Sequence, residues 1–244
     1  MGPVDYYREM PYVFAASDIN LNISVKGIQS GVPQRAFDIL ASGGFLLSNY
    51  QQELVELFSY GEEMVVYESL EDAVEKCNGK LCVIRTMDIG GDKPLPYFPI
   101  SEENPFLGWR GIRITLDHPE LFLAQLKAML RASEHNDNLA IMLPMISCVS
   151  EIQSARRLLD QAWLEVSDEL RTRGSAIRYP SLGVMIEVPA AIYLLPDLAP
   201  YVDFWSVGTN DLTQYLLAVD RNNARVAQMY DGLHPAVLRA LQQI

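Results

Sequence analysis

The sequence predicts an α/β protein in which mainly parallel strands alternate with helices. Short apolar runs such as 45–49, 81–86 and 182–187 are separated by amphipathic stretches of helical length, which is the pattern of βα units. The alternation continues along all 244 residues without an internal repeat or a low-complexity tract. A chain of this length forms one large α/β domain or two smaller ones.

The composition is that of a globular protein, with 49% hydrophobic and 20% charged residues. The formal net charge of −12 argues against binding to nucleic acid or to a membrane surface through basic residues. No apolar run is long enough to span a bilayer. The three cysteines have neither disulfide-type nor zinc-type spacing. We therefore expect a cytoplasmic protein with no nucleic-acid partner and no membrane partner.

The first part of the chain contains three predicted βα units. Strands are expected at 19–25, 45–49 and 63–68, and helices over 31–44, 51–61 and 69–79. Ser69 and Asp72 have the spacing of a capping box, which predicts a helix start at Ser69.

The rest of the chain contains four more predicted strands, at 81–86, 139–145, 182–187 and 202–209. Helices are expected over 119–133, 149–170 and 234–244, after Pro189 and from Asp211. Residues 88–113 form a long segment rich in glycine and proline. Loops of this length inside a compact domain are usually functional.

Three of these strands end in polar residues, at the edge where parallel α/β folds place their active sites. They are Arg85, Glu187 and the pair Asn210-Asp211. Glu187 and Asp211 are hard oxygen ligands of the kind that Mg²⁺ prefers, since this ion takes one or two carboxylates plus water and substrate oxygens.

Arginines provide the complementary charge. Arg85 and Arg110 offer bidentate forks for a phosphate or a carboxylate. Arg221 is expected two or three turns into the helix after Asp211, leaning back over the site. Cations beside Mg²⁺ indicate a site for an anionic phosphate ester.

Structural roles are the alternatives for the same residues. Asp211 with Gln214 resembles a capping arrangement, and Glu187 is equally suited to an ion pair with a nearby arginine. Arg85 lies in an apolar run, and a buried arginine needs an anion, which a structural ion pair would also supply.

Three long motifs identify a family. "VIRTMDIGGDKPLPYFPISEENPFLGWRGIR", "LGVMIEVPAA" and "SVGTNDLTQYLLAVDRNN" resemble the phosphoenolpyruvate (PEP)-binding barrel of Enzyme I of the sugar phosphotransferase system. "KPLPYFPI" and "YDGLHPAVLRALQ" are nearest to its nitrogen-related branch. The resemblance extends over about residues 75–244 and implies a partial (β/α)8 barrel.

The resemblance implies a role for each candidate residue. Arg85 and Arg110 match arginines that hold the phosphate of PEP, and Glu187 and Asp211 match the ligands of Mg²⁺. Asn210 matches a substrate-contacting residue, with Arg221 behind it. In the intact family these groups support phosphoryl transfer to a histidine and onward to a phosphocarrier protein.

This sequence departs from the family pattern in three places. It contains no Thr-Ser-His context of the phosphohistidine domain, no first two barrel strands and no later strand with the acid cysteine. The resemblance therefore implies a site that is incomplete, and weakly active or inactive alone.

The first 70 or so residues resemble a different family, the nucleotide-sugar half of CgeB-like glycosyltransferases. Asp38 matches the carboxylate that binds the donor ribose, and Arg35 would face the diphosphate. An ordinary amphipathic helix explains both residues equally well. The sequence thus reads as a hybrid, with a Rossmann-like fragment over 1–75 and a partial PEP-utilising barrel over 76–244.

The arrangement of the seven predicted strands stays open at this point. Half a barrel exposes two strand edges, which proteins normally cover. Two arrangements would cover these edges. Either the first three strands (the front strands) extend the sheet of the last four (the rear sheet), or a second chain covers that sheet in a homodimer. The alternative functions are a nucleotide-sugar-binding remnant and a non-catalytic chimera.

Overall fold

The computed structural model describes residues 20–22, 34–42, 46–58, 64–77, 80–91 and 98–244. The chain divides into two compact units, of which the first ends at Lys80 and the second begins at Leu81. Every strand pair in the described part is parallel. The predicted α/β class, with parallel strands alternating with helices, is therefore confirmed.

The first unit contains a three-stranded sheet in the order β1-β2-β3. Its strands are β1 (Asn20–Asn22), β2 (Leu46–Asn49) and β3 (Met64–Tyr67), and its helices are α1 (Gln34–Ala41), α2 (Gln52–Leu57) and α3 (Leu70–Lys76). The Ser69 hydroxyl accepts a hydrogen bond from the Asp72 N–H at 3.2 Å, which confirms the predicted helix start. The predicted ends of these elements at 23–25, 31–33 and 43–45 lie outside the described residues.

The second unit contains a four-stranded sheet in the order β4-β5-β6-β7. Its strands are β4 (Cys82–Arg85), β5 (Leu139–Leu143), β6 (Ser181–Ile186) and β7 (Phe204–Val207). Its helices are α4 (Ile112–Asp117), α5 (Pro119–Ala132), α6 (Val149–Arg171), α7 (Pro189–Tyr193), α8 (Leu195–Leu198), α9 (Thr209–Leu217) and α10 (Pro235–Gln243).

The strand order shows which of the predicted arrangements is wrong. The seven described strands form two separate sheets, so the front strands do not extend the rear sheet. Within the rear sheet the spatial order follows the chain order, as it does in consecutive βα units of a barrel. All four strands therefore present their carboxyl ends at the same edge.

Helix α6 packs against α5 and buries one face. Its buried residues recur every three or four positions, as an amphipathic helix requires; they are Ile152, Ala155, Leu159, Ala162, Val166 and Leu170. Ile141 and Leu143 of β5 are likewise completely buried. In the described part of the chain, no helix has the length and apolar character needed to cross a membrane.

Candidate functional site

A cleft of about 270 Å³ opens at the carboxyl ends of β4, β6 and β7. It is lined by Arg85, Asp88, Met185, Glu187, Val207, Gly208, Thr209, Asn210, Asp211 and Arg221. The cleft brings together five of the residues predicted for the second unit. The sixth, Arg110, lies below it, with its Nη2 atom 3.4 Å from Asp211 Oδ2.

The burial of Arg85 differs from the prediction, and Arg110 is the buried arginine instead. Arg85 is the last residue of β4, and its side chain is 40% exposed because it faces the cleft. Arg110 is only 1% exposed and lies between two carboxylates, with Nη2 3.4 Å from Asp88 Oδ1 and 3.4 Å from Asp211 Oδ2. The buried arginine that needs an anion is therefore Arg110, and it has two.

Asp88 is a residue of the site that the sequence reasoning missed. Its carboxylate is 3% exposed; Oδ1 is bound to Arg110, and Oδ2 lies 3.5 Å from Arg85 Nη1. The buried Asp88 carboxylate thus forms ion pairs with both Arg85 and Arg110. The signal that would have found it is an acidic residue three positions after the strand-end Arg85.

Asp211 lies in the first turn of α9, where the positive end of the helix dipole favours a carboxylate. The N-cap of α9 is Gly208 and no side chain caps the helix, so the capping alternative for Asp211 is wrong. Its side chain is 9% exposed, and Arg221 Nη2 lies 2.9 Å from Oδ1. Both oxygens of Asp211 therefore face an arginine.

Glu187 directly follows β6 and is 2% exposed. Its Oε1 atom accepts a hydrogen bond from the Met145 N–H at 2.7 Å. Burial raises the pKa of Glu187 to about 7 against the opposing effect of that hydrogen bond, and the nearby charges of Asp88 and Asp211 add to the rise. No ion pair joins Glu187 to an arginine within the described residues, so that alternative is wrong.

The donor set fits a divalent cation with few protein ligands. The described residues contain no cluster of three or more His, Cys, Asp or Glu side chains arranged for a metal. Mg²⁺ commonly binds through only one or two carboxylates, which Glu187 and Asp211 offer. Asp211 Oδ1 is buried and accepts no well-aligned hydrogen bond from a described residue, although Arg221 Nη2 lies 2.9 Å away; a cation would supply the missing partner.

Arg221 and Asn210 complete the rim. Helix α9 ends at Leu217 and the chain reverses at Ala218, whose φ is 52°; Arg221 therefore follows the helix and is not part of it, contrary to the prediction. The Arg221 N–H donates to Gln214 Oε1 at 3.1 Å. Asn210 is exposed, and its Oδ1 atom lies 3.2 Å from the hydroxyl of Tyr230.

Asp38 is the candidate residue that the sequence predicted for the first unit. Asp38 belongs to α1, but its side chain and that of Arg35 lie outside the described residues. A separate cleft of about 480 Å³ opens beside β2 and β3 and is lined by Tyr50, Val55, Val66, Glu68, Ser69, Asp72 and Lys76.

Comparison with known families decides the affiliation. Residues 45–244 match the model of the PEP-utilising enzyme, PEP-binding domain. The chain belongs to this family. The family predicted from the three long motifs is thereby confirmed. Residues 1–81 match a second model, glycosyl transferase-like, so the two matches overlap over 45–81.

Relatives of this chain include phosphotransferase proteins. The "Phosphoenolpyruvate-dependent phosphotransferase system" proteins of Salmonella typhimurium and Escherichia coli are each 46% identical over 242 residues, covering 94% of this chain and 32% of theirs. A phosphoenolpyruvate-protein phosphotransferase of Latilactobacillus sakei is 41% identical over 227 residues, covering 88% of this chain and 37% of its own. The chain thus spans about a third of the length of these relatives.

Among solved structures, a citrate lyase from Burkholderia xenovorans resembles this chain with a TM-score of 0.40 and 14% identity. The match covers 93% of this chain and 58% of the lyase. A score at this level supports no argument about the site.

Proposed function

We propose that the cleft binds phosphoenolpyruvate together with Mg²⁺, as a site of the PEP-protein phosphotransferase type. The observation that carries the proposal is the convergence of three arginines and three carboxylates in a chain of the PEP-binding family. Phosphoenolpyruvate has a phosphate and a carboxylate, and both are recognised by arginine forks.

The arginines have different tasks in this proposal. Arg85 is 40% exposed and follows β4 into the cleft, so it binds the phosphate directly. Arg110 is 1% exposed and supplies positive charge from below, held by Asp88. Asn210 contributes an exposed amide at the rim for the organic part of the substrate.

Glu187 and Asp211 are the proposed ligands of the metal. When Mg²⁺ is bound, it neutralises charge on the phosphoryl oxygens during transfer. Holding the metal requires Glu187 in its ionised form, whose charge the cation then offsets. The arginines orient the phosphoryl group, so that the bond to the enolpyruvate oxygen breaks while the acceptor forms its own bond to phosphorus.

The acceptor is proposed to come from outside this cleft. Among the described residues, no histidine or cysteine lines it. His118 and His234 lie at the starts of α5 and α10, and His135 is exposed. In the family the acceptor is a histidine that passes the phosphoryl group to a phosphocarrier protein. We therefore infer weak or no turnover by this chain alone.

Calorimetric titration with phosphoenolpyruvate tests this function. We expect a dissociation constant of about 1 mM or below with Mg²⁺, at least about tenfold weaker binding in EDTA, and loss of the Mg²⁺ effect in Asp211→Asn because a metal ligand is removed. The matched control is Asp168→Asn, whose side chain is 70% exposed on α6. Binding that is indifferent to Mg²⁺ and to Asp211→Asn contradicts the proposal.

A second candidate function concerns the first unit. The glycosyl transferase-like match over 1–81, together with the cleft beside β2 and β3, favours a nucleotide-sugar site. Saturation-transfer NMR with UDP-glucose is expected to show contact with the ribose that Asp38→Ala weakens. Absence of saturation transfer at millimolar UDP-glucose removes this candidate.

Homodimer formation stays a prediction.

A further inference from the structure

Asp211 has one arginine on each carboxylate oxygen. Arg110 Nη2 lies 3.4 Å from Oδ2, and Arg221 Nη2 lies 2.9 Å from Oδ1. The carboxylate that is assigned to the metal is therefore already neutralised in the ligand-free chain. A divalent cation at Oδ1 has to take the place of Arg221.

The two arginines differ in how firmly they are held. Arg110 is 1% exposed and lies 3.4 Å from both Asp88 and Asp211, so moving it would take a buried cation away from two buried carboxylates. The Arg221 side chain is 30% exposed, and Asp211 is its one ion-pair partner within the described residues. Arg221 is therefore the arginine that leaves at low cost.

The contact between Arg221 and Asp211 is also poorly formed. The charged atoms are 2.9 Å apart, yet Asp211 Oδ1 and Arg221 Nη1 are both buried without a hydrogen-bond partner among the described residues. Buried polar atoms normally find partners. A cation at Oδ1 and an anion at Nη1 would satisfy both atoms at once.

The backbone of Arg221 is anchored, while its side chain is partly exposed. Its N–H donates to Oε1 of Gln214, which is 3% exposed. Ala218, with φ 52°, reverses the chain just before it. The guanidinium group can therefore exchange partners by side-chain rotation, without movement of α9.

We propose that Arg221 is an exchangeable counterion of Asp211, which moves to the substrate phosphate when Mg²⁺ binds to Asp211 and thereby couples metal binding to substrate binding. This inference rests on the proposed function, since it uses the phosphate of phosphoenolpyruvate as the second partner. The coupling is reciprocal: each ligand raises the affinity for the other by the same factor.

Titration of MgCl₂ into wild-type protein and into Arg221→Met, each with and without phosphoenolpyruvate, tests the exchange. Without substrate, we expect Arg221→Met to bind Mg²⁺ about tenfold more tightly, since its competitor is gone, and the factor by which substrate enhances Mg²⁺ binding to fall about tenfold. Direct contact between the metal and the substrate phosphate contributes equally to the coupling factor of the wild type and of Arg221→Met, so it does not affect the comparison. The control is Arg225→Met, which removes the same charge from an exposed position of the same segment.

Two results overturn the exchange: an unchanged or weaker affinity of Arg221→Met for Mg²⁺ alone, or an unchanged coupling factor. If Arg221→Met does not fold, Arg221→Gln is used, which also removes the charge. If phosphoenolpyruvate binds to neither protein, the proposed function fails and the coupling with it. The titration with Mg²⁺ alone still decides whether Arg221 competes for Asp211.

Discussion

Replacing Arg110 with methionine is expected to lower the free energy of unfolding by about 3–5 kcal/mol, measured by urea denaturation in EDTA. The loss is large because Asp88 and Asp211, whose side chains are 3% and 9% exposed, both lie 3.4 Å from the guanidinium group. Without it, two buried carboxylates keep their negative charges at close range. Arg110 is therefore expected to stabilise the folded protein even when no ligand is bound.

The matched control is Arg131→Met, which breaks the exposed pair between Arg131 and Glu169 at 2.7 Å. We expect that substitution to cost less than about 1 kcal/mol. Adding Asp88→Asn to Arg110→Met is expected to recover part of the loss, since one of the two buried carboxylates that have lost Arg110 is then neutral. Equal losses of unfolding free energy for Arg110→Met and Arg131→Met would show that burial does not strengthen the pairing of Arg110 with Asp88 and Asp211.

The second large effect is a fall in stability of the metal-free protein as pH rises from about 4.5 to 7. Burial raises the pKa of Glu187 from 4.5 to about 7, so over this range the folded state holds a proton that the unfolded state has lost. The stabilisation is complete below about pH 4.5 and disappears as pH rises through about 7, amounting to roughly 3 kcal/mol. The protein is therefore expected to be less stable at pH 8 than at pH 5.

Glu187→Gln isolates this contribution. The variant should be more stable than wild type at pH 8 by up to about 3 kcal/mol, with the difference vanishing near pH 4.5, because glutamine does not ionise. Urea midpoints at several pH values measure it. Mg²⁺ at pH 8 should raise the midpoint of the wild type more than that of the variant. Parallel stability curves for the two proteins would contradict the raised pKa.

The positions of the elements were largely predictable because their signals are local. The strand predicted over 81–86 is β4, Cys82–Arg85, and the helix predicted over 149–170 is α6, Val149–Arg171. An apolar run bounded by turn residues and a stripe of buried residues every three or four positions are properties of a short segment. The start of α9 was missed by two residues, since Gly208 replaces a side-chain cap there.

The partners of the charged residues were not predictable, because they depend on long-range contacts. Asp88 and Arg110 are 22 positions apart in the chain, and Arg110 and Asp211 are 101 apart. Local sequence made Arg85 the candidate for burial, whereas the fold exposes Arg85 at the cleft and buries Arg110 below it.

The sequence by itself determined the βα alternation, the family and the set of residues at the strand ends, since each rests on periodicity or on a contiguous motif. Only the tertiary structure decided how these residues pair. It places Asp88 between two arginines and turns the chain at Ala218, so that Arg221 lies against Asp211. The physical reason is that burial and ion pairing are set by which strand ends meet in space, which no local pattern encodes.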